Sequence, residues 1–218
     1  MKTAVIAGST GLVGKQLMYK LLECKDYQKI IALVRTPLQI KHPKLVQLTV
    51  DYDKLDQYKD QMQGDDYFCC LGTTMKKAGS KVAFYKVDYT YAFEFAKIAS
   101  ENVASKFLLI SAIGADSSSS VYYSKVKGEL EEAIKKLKIP EIHIFQPSIL
   151  VGNRLEFRFG EIIGIGVAKA ISPLLISGLR KYKPMDVTKL AQAMLNVALQ
   201  KETMTLKTWS YNEIMSII

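Results

Sequence analysis

Tyr123 and Lys127 stand four residues apart in a segment patterned as a helix, so their side chains share one face. An isolated tyrosine, with a pKa of about 10, exchanges protons poorly at neutral pH. A lysine cation beside it favours the phenolate. Tyr123 would then give a proton to a carbonyl oxygen during reduction, or take one from an alcohol in the reverse direction. Ser111 would hold the same oxygen. With twelve tyrosines in so lysine-rich a chain, roughly one such pair arises by chance, so spacing alone carries nothing. Position carries the argument: the pair opens the helix after the fifth strand, and Ser111 stands at that strand's carboxyl end. The competing reading is a half-exposed helix face and a strand-end hydroxyl that caps local backbone. Tyr122 competes with Tyr123 but has Val126, not a lysine, at the matching position.

The other chemical feature is Gly8-Ser9-Thr10-Gly11-Leu12-Val13-Gly14, which follows the apolar run Ala4-Val5-Ile6-Ala7. A strand, a glycine-rich turn and a helix start make a phosphate site. Gly8 permits the turn, Gly11 lets the backbone approach a pyrophosphate, and Gly14 lets helix and strand pack closely. The helix N-terminus offers N–H groups and partial positive charge to the anion. A tight strand–helix turn without a ligand is the alternative. Strand 2 ends Leu33-Val34-Arg35-Thr36, with Arg35 where an acidic residue would favour NAD. A guanidinium there clamps a 2′-phosphate, which favours NADP(H) over NAD(H). Asp51 and Tyr52, after strand 3, are placed to border an adenine or to form an exposed turn. Leu71, Gly72 and Thr73 end strand 4 beside the cofactor. Lys127 would also bind the hydroxyls of the nicotinamide ribose.

Strands and helices alternate, which predicts an α/β fold: a Rossmann-type, doubly wound parallel sheet in a single domain, residues 1–218. Strands are expected at Lys2–Ala7, Ile30–Val34, Leu45–Thr49, Tyr67–Leu71, Phe107–Ile110, Ile142–Phe145 and Leu206–Trp209. Helices are expected at Leu12–Glu23, Val82–Glu101, Val121–Leu137 and Val187–Leu199, the last with Asp186 as N-cap. The segment at residues 152–184 breaks the alternation and is the candidate for a small C-terminal substrate-binding cap.

The net charge of +9 raises nucleic acid as a partner. The lysines are scattered, with no basic block interleaved with aromatics, so a solvated surface is the better account and no nucleic-acid partner is expected. No stretch is apolar enough to span a bilayer; Ile162–Ile176 is broken by Gly164, Gly166, Lys169 and Pro173. The apolar run after Met1-Lys2 is read as the first strand and not as a signal peptide. Cys24, Cys69 and Cys70 form no disulfide framework, which fits the cytoplasm. His42 and His143 lack clustered partners, so no metal is expected.

With these residues in place, the chain resembles the short-chain dehydrogenase/reductase superfamily, and within it the atypical, Tat-interacting-protein-like oxidoreductases. The likeness lies in Cys69-Cys70-Leu71-Gly72-Thr73-Thr74 with Lys77-Ala78-Gly79 and Val87-Asp88. It continues in Leu109-Ile110-Ser111-Ala112-Ile113-Gly114-Ala115-Asp116, in Tyr123-Ser124-Lys125-Val126-Lys127-Gly128-Glu129, and in Gln146-Pro147-Ser148-Ile149-Leu150-Val151-Gly152-Asn153-Arg154. The resemblance implies an NADP(H)-binding Rossmann fold. It implies a pyrophosphate loop of Gly8, Thr10, Gly11, Leu12, Val13 and Gly14, and a 2′-phosphate site at Arg35. It puts Leu71, Gly72, Thr73, Pro147, Ser148, Ile149 and Leu150 on the nicotinamide side, with Ser111, Tyr123 and Lys127 as the catalytic set. Two positions depart from the wider superfamily: Asp88 stands where many relatives have asparagine, and Ala112 where a second serine is common.

Two functions follow. One is an NADP(H)-dependent oxidoreductase acting on a small carbonyl or alcohol, for which a short cap suits a small substrate. The alternative is an NADP(H)-binding regulatory or scaffold protein that touches another protein.

Overall fold

The first strand, Lys2–Ala7 (β1), alternates the faces it buries: Ala4 and Ile6 enter one apolar cluster, Val5 and Ala7 another. Burial on both faces is the mark of a central parallel strand covered by helices on each side. In the computed structural model, which describes residues 1–151, 183–201 and 204–218, this strand lies inside a seven-stranded sheet.

The sheet comprises β1, Tyr27–Val34 (β2), Leu45–Thr49 (β3), Asp66–Cys69 (β4), Lys106–Ile110 (β5), Glu141–Phe145 (β6) and Leu206–Trp209 (β9). The order is β3-β2-β1-β4-β5-β6-β9 and every neighbouring pair is parallel. This is a Rossmann-like single domain, whose strand order reverses between β1 and β4. A separate two-stranded parallel pair joins Leu150–Val151 (β7) to Met185–Asp186 (β8). The expected cap at residues 152–184 lies almost wholly outside the described residues.

One face carries the helix Leu12–Glu23 (α1) and the helix Val187–Leu199 (α6), packed through Leu17, Met18, Leu21, Leu190 and Met194. Asp186 caps α6 as expected, accepting from the backbone N–H groups of Thr188 and Lys189 at 2.7 and 3.3 Å. The other face carries the helices Tyr91–Glu101 (α4) and Tyr122–Ile134 (α5), with Phe95, Leu130 and Ile134 against Tyr67 and Phe107.

Three departures from the sequence pattern are informative. Strand β2 begins at Tyr27, earlier than Ile30, because the buried Tyr27 hydroxyl is met by Asp66 and the polar Gln28 and Lys29 stay exposed. Strand β4 ends at Cys69, so Leu71 leaves the sheet. The expected single helix Val82–Glu101 is three pieces: Lys81–Tyr85 (α3), a π-helical turn over Lys86–Thr90, and α4. Five short elements carry too little periodicity to be seen in sequence: the 3-10 helix Tyr52–Met62, the helix Met75–Ala78 (α2), the strands β7 and β8, and the C-terminal helix Tyr211–Ser216 (α7).

Candidate active site

The turn after β1 is built by its glycines. Gly8 has φ +83°, and a methyl there would lie 2.5 Å from the Cys70 carbonyl oxygen. A methyl on Gly14 would lie 2.2 Å from the Gly8 carbonyl oxygen, so α1 crosses the strand end too closely for any side chain. Gly11 N–H donates to the Gly8 carbonyl at 3.0 Å and closes the turn. Gly11 then stands as N-cap of α1, with no side-chain cap and no acidic residue in the first turn. Leu12, Val13 and Gly14 open the helix, and Thr10 is exposed at the tip. The Ser9 hydroxyl is buried without a hydrogen-bond partner. An uncapped helix N-terminus and an orphaned buried hydroxyl in one loop fit an anionic ligand such as a pyrophosphate.

Two residues flank this loop. Arg35 follows the last residue of β2 and is exposed. Tyr52 is half-buried, with its hydroxyl against the Gly8 backbone and within the field of Arg35; burial pushes its pKa well above the usual tyrosine value. Asp51 acts locally: its carboxylate accepts from the Asp53 N–H at 3.0 Å and starts the 3-10 helix.

Beside the switch point, at the carboxyl ends of β4, β5 and β6, lies a cavity. Ser111, Tyr123 and Lys127 all line it. From the expected nicotinamide side, Leu71, Gly72, Thr73, Pro147, Ser148 and Leu150 line it as well. Ile149 is not on its wall; the Ile149 carbonyl accepts from the Met185 N–H at 2.8 Å and holds β8. The Ser148 hydroxyl donates to the Lys183 carbonyl, tying the same region together.

Packing sends the two tyrosines to different places. Tyr122 donates its hydroxyl to the Lys81 carbonyl at 3.0 Å and lies under the Lys81 ammonium, 5.2 Å from the ring centre. Tyr123 packs on Phe84, with ring centres 5.7 Å apart, and reaches the cavity with Lys127.

Three polar residues shape this site beyond the expected set. Asp88, in the π turn, is 1% exposed, and its Oδ1 lies 2.7 Å from Lys127 Nζ. Its Oδ2 accepts from the Thr73 N–H at 2.7 Å. Glu131, one turn after Lys127, accepts the Ser111 hydroxyl and two contacts from Gln146 Nε2 at 3.0 and 3.1 Å. A serine has one proton to donate. In this arrangement Glu131 receives it, and the Ser111 oxygen is left as an acceptor. Only Asp88 left a trace in the sequence, as the departure from asparagine. Burial works against the Lys127 charge, but the Asp88 carboxylate, joined by Tyr123 when that phenol ionises, outweighs it and holds the lysine pKa above its usual value. Burial also pushes the nearby Cys69 thiol up to about 11.

A parallel sheet with this strand order, a glycine turn at its first strand and a tyrosine–lysine pair beside the switch point define a Rossmann-fold nucleotide-binding protein of short-chain dehydrogenase/reductase type. The chain belongs to the NAD(P)H-binding family, whose model matches residues 8–139. It is 35% identical over 199 residues to Protein HTATIP2 of Rattus norvegicus, covering 89% of this chain and 80% of that protein. It is 34% identical over 205 residues to the mitochondrial protein FMP52-1 of Scheffersomyces stipitis, covering 90% and 88%. Among solved structures it resembles the UDP-N-acetylglucosamine 4-epimerase of Methanobrevibacter ruminantium, with TM-score 0.69, 14% identity, and coverage of 96% of this chain and 76% of that one. The Bordetella bronchiseptica enzyme WbmH, solved with NAD+, has TM-score 0.69 and 14% identity, covering 97% and 76%. At that identity the likeness is one of fold.

Proposed function

We propose that the chain is an NADP(H)-dependent oxidoreductase acting on a small carbonyl or alcohol, with Tyr123 as the group that gives or takes the proton. The observation that carries this reading is the convergence of Tyr123, Lys127, Ser111 and Gly72 on one cavity at the carboxyl edge of the sheet. A bound nicotinamide would supply or accept the hydride; the chain's own residues handle binding and the proton.

In this reading the glycine turn and the start of α1 hold the pyrophosphate, and Arg35 takes the 2′-phosphate. Lys127 binds ribose hydroxyls and stabilises the Tyr123 phenolate. Tyr123 protonates the substrate oxygen in reduction and deprotonates it in oxidation. Ser111, whose hydroxyl donates its hydrogen bond to Glu131, accepts a hydrogen bond from a hydroxyl in the cavity.

The test is a side-by-side titration with NADPH and NADH, followed by a screen of small carbonyl compounds. Tight NADPH binding, weakened by Arg35→Ala, with turnover lost in Tyr123→Phe, supports the reading. NADPH binding with turnover unchanged in Tyr123→Phe rejects the mechanism. NADPH binding with no turnover of any compound moves the assignment to a regulatory or scaffold protein.

For location we propose the cytoplasm, on the ground that Cys24, Cys69 and Cys70 form no disulfide. The fungal relatives are named mitochondrial, so fractionation of tagged protein decides between the two.

A further inference from the structure

An ammonium buried without a counter-charge gives up its proton, and a neutral lysine does nothing for a neighbouring phenol. Lys127 is 4% exposed, so something must hold its charge. Among the described residues, the groups that face it are few. Tyr123, one turn earlier on α5, is uncharged until it loses its own proton. Cys69, from β4, has a thiol raised by burial and is uncharged at neutral pH. Glu131, one turn later, is engaged by Ser111 and Gln146. The carboxylate that reaches Lys127 is Asp88, at 2.7 Å.

The placement of Asp88 is itself specific. A π turn inserts an extra residue into a helix, and such turns recur at functional sites. Here the turn over Lys86–Thr90 interrupts the α3–α4 run, and Asp88 in its middle lines the cavity. The Thr73 N–H, in the loop after β4, fixes the second carboxylate oxygen. Gly72 leaves room for the pair: a methyl there would lie 3.3 Å from Asp88 Oδ1 and 3.6 Å from Lys127 Nζ.

We propose that Asp88 is the positioning residue that keeps Lys127 charged inside the cavity, and through it keeps Tyr123 able to exchange a proton. The part concerning Tyr123 rests on the oxidoreductase reading; the part concerning Lys127 does not. Asparagine at this position would satisfy the Thr73 N–H but would supply no charge, so the two side chains are not equivalent here.

The direct test follows lysine side chains labelled at Cε by NMR during a pH titration of the full chain, with the Lys127 signal assigned by its loss in Lys127→Met. In the wild type the Lys127 midpoint should fall no lower than that of an exposed lysine, about 10.4. In Asp88→Asn it should fall by two pH units or more, and in Asp88→Glu it should stay within one unit of wild type. If turnover is found, Asp88→Asn should lose it on the alkaline side of the pH profile, and Asp88→Glu should recover it. A merely structural role would not move the lysine midpoint. An unchanged midpoint in Asp88→Asn overturns the proposal. So does a wild-type Lys127 that deprotonates below the ordinary lysine range, a result that needs no Asp88 variant. Absence of turnover in every variant would defeat the oxidoreductase reading while the lysine titration still decided the role of Asp88.

Discussion

Tyr122 and Tyr123 are neighbours in the first turn of α5, yet they serve different parts of the molecule. Tyr122 hydrogen-bonds the Lys81 carbonyl on α3, and Tyr123 lines the cavity one turn before Lys127. Tyr123→Phe should therefore lower turnover by about 10²–10⁴-fold while cofactor binding is kept. Tyr122→Phe should leave turnover within a few-fold and cost about 1 kcal/mol of stability or less. Steady-state kinetics and thermal melts on the two variants check this; the reverse ranking would put the chemistry on the wrong tyrosine.

Arg35 lies beyond the last residue of β2, exposed and near Tyr52. Loss of a charge-assisted contact to a 2′-phosphate costs about 1.5–3 kcal/mol, or roughly ten- to a hundredfold in affinity. Arg35→Ala should weaken NADPH by that factor and leave NADH nearly unchanged. Nicotinamide fluorescence titrations give both numbers; equal loss for the two cofactors would remove Arg35 from the 2′-phosphate site.

Gly128 is where the loop after β5 crosses α5. A methyl there would lie 2.1 Å from the Ser117 nitrogen and 2.3 Å from the Asp116 carbonyl carbon. Neither backbone atom can yield as a flexible side chain would, and the same loop is tied by the Asp116 N–H to the Ser124 carbonyl at 3.0 Å. Gly128→Ala should cost about 3 kcal/mol or more, a fall in Tm on the order of 10 °C. A melt within about 2–3 °C of wild type, roughly 1 kcal/mol, would show that the crossing is looser than the structure has it.

At the C-terminus, Ser210 and Glu213 form a capping box at the start of α7, and Glu213 also pairs with Lys207. Hydrogen bonds from Lys207 and Ser210 hold the Glu213 carboxyl down at about 2 against its usual 4.5. The folded form thus binds the proton less tightly than the unfolded chain does. The stabilisation is present above pH 4.5 and is lost as the pH falls toward about 2. The side chain is 40% exposed, so solvent screening keeps the contribution below about 1 kcal/mol. Glu213→Gln should flatten part of the fall in Tm between those pH values; an unchanged acid limb would assign that fall to other carboxylates.

Much of the fold is legible residue by residue. Strands β1 and β3 and helices α1 and α6 stand where apolar periodicity puts them, because period and face are local properties of the chain. The glycine turn is legible for the same reason: φ at Gly8 and contact at Gly14 are set within one strand–turn–helix unit. Strand β2 and the split helix are less so, since a buried tyrosine answered by Asp66 and a π insertion leave the apolar pattern unbroken.

The sequence by itself determined the parallel α/β class, the glycine turn and the candidate set of Ser111, Tyr123 and Lys127. Only the tertiary structure decided which tyrosine reaches the cavity, that the Ser111 hydroxyl donates to Glu131, and that Asp88 sits on Lys127. Those relations join residues from different helices and strands. They depend on burial, which gives a charge or a hydroxyl its consequences, and burial is created when the layers pack.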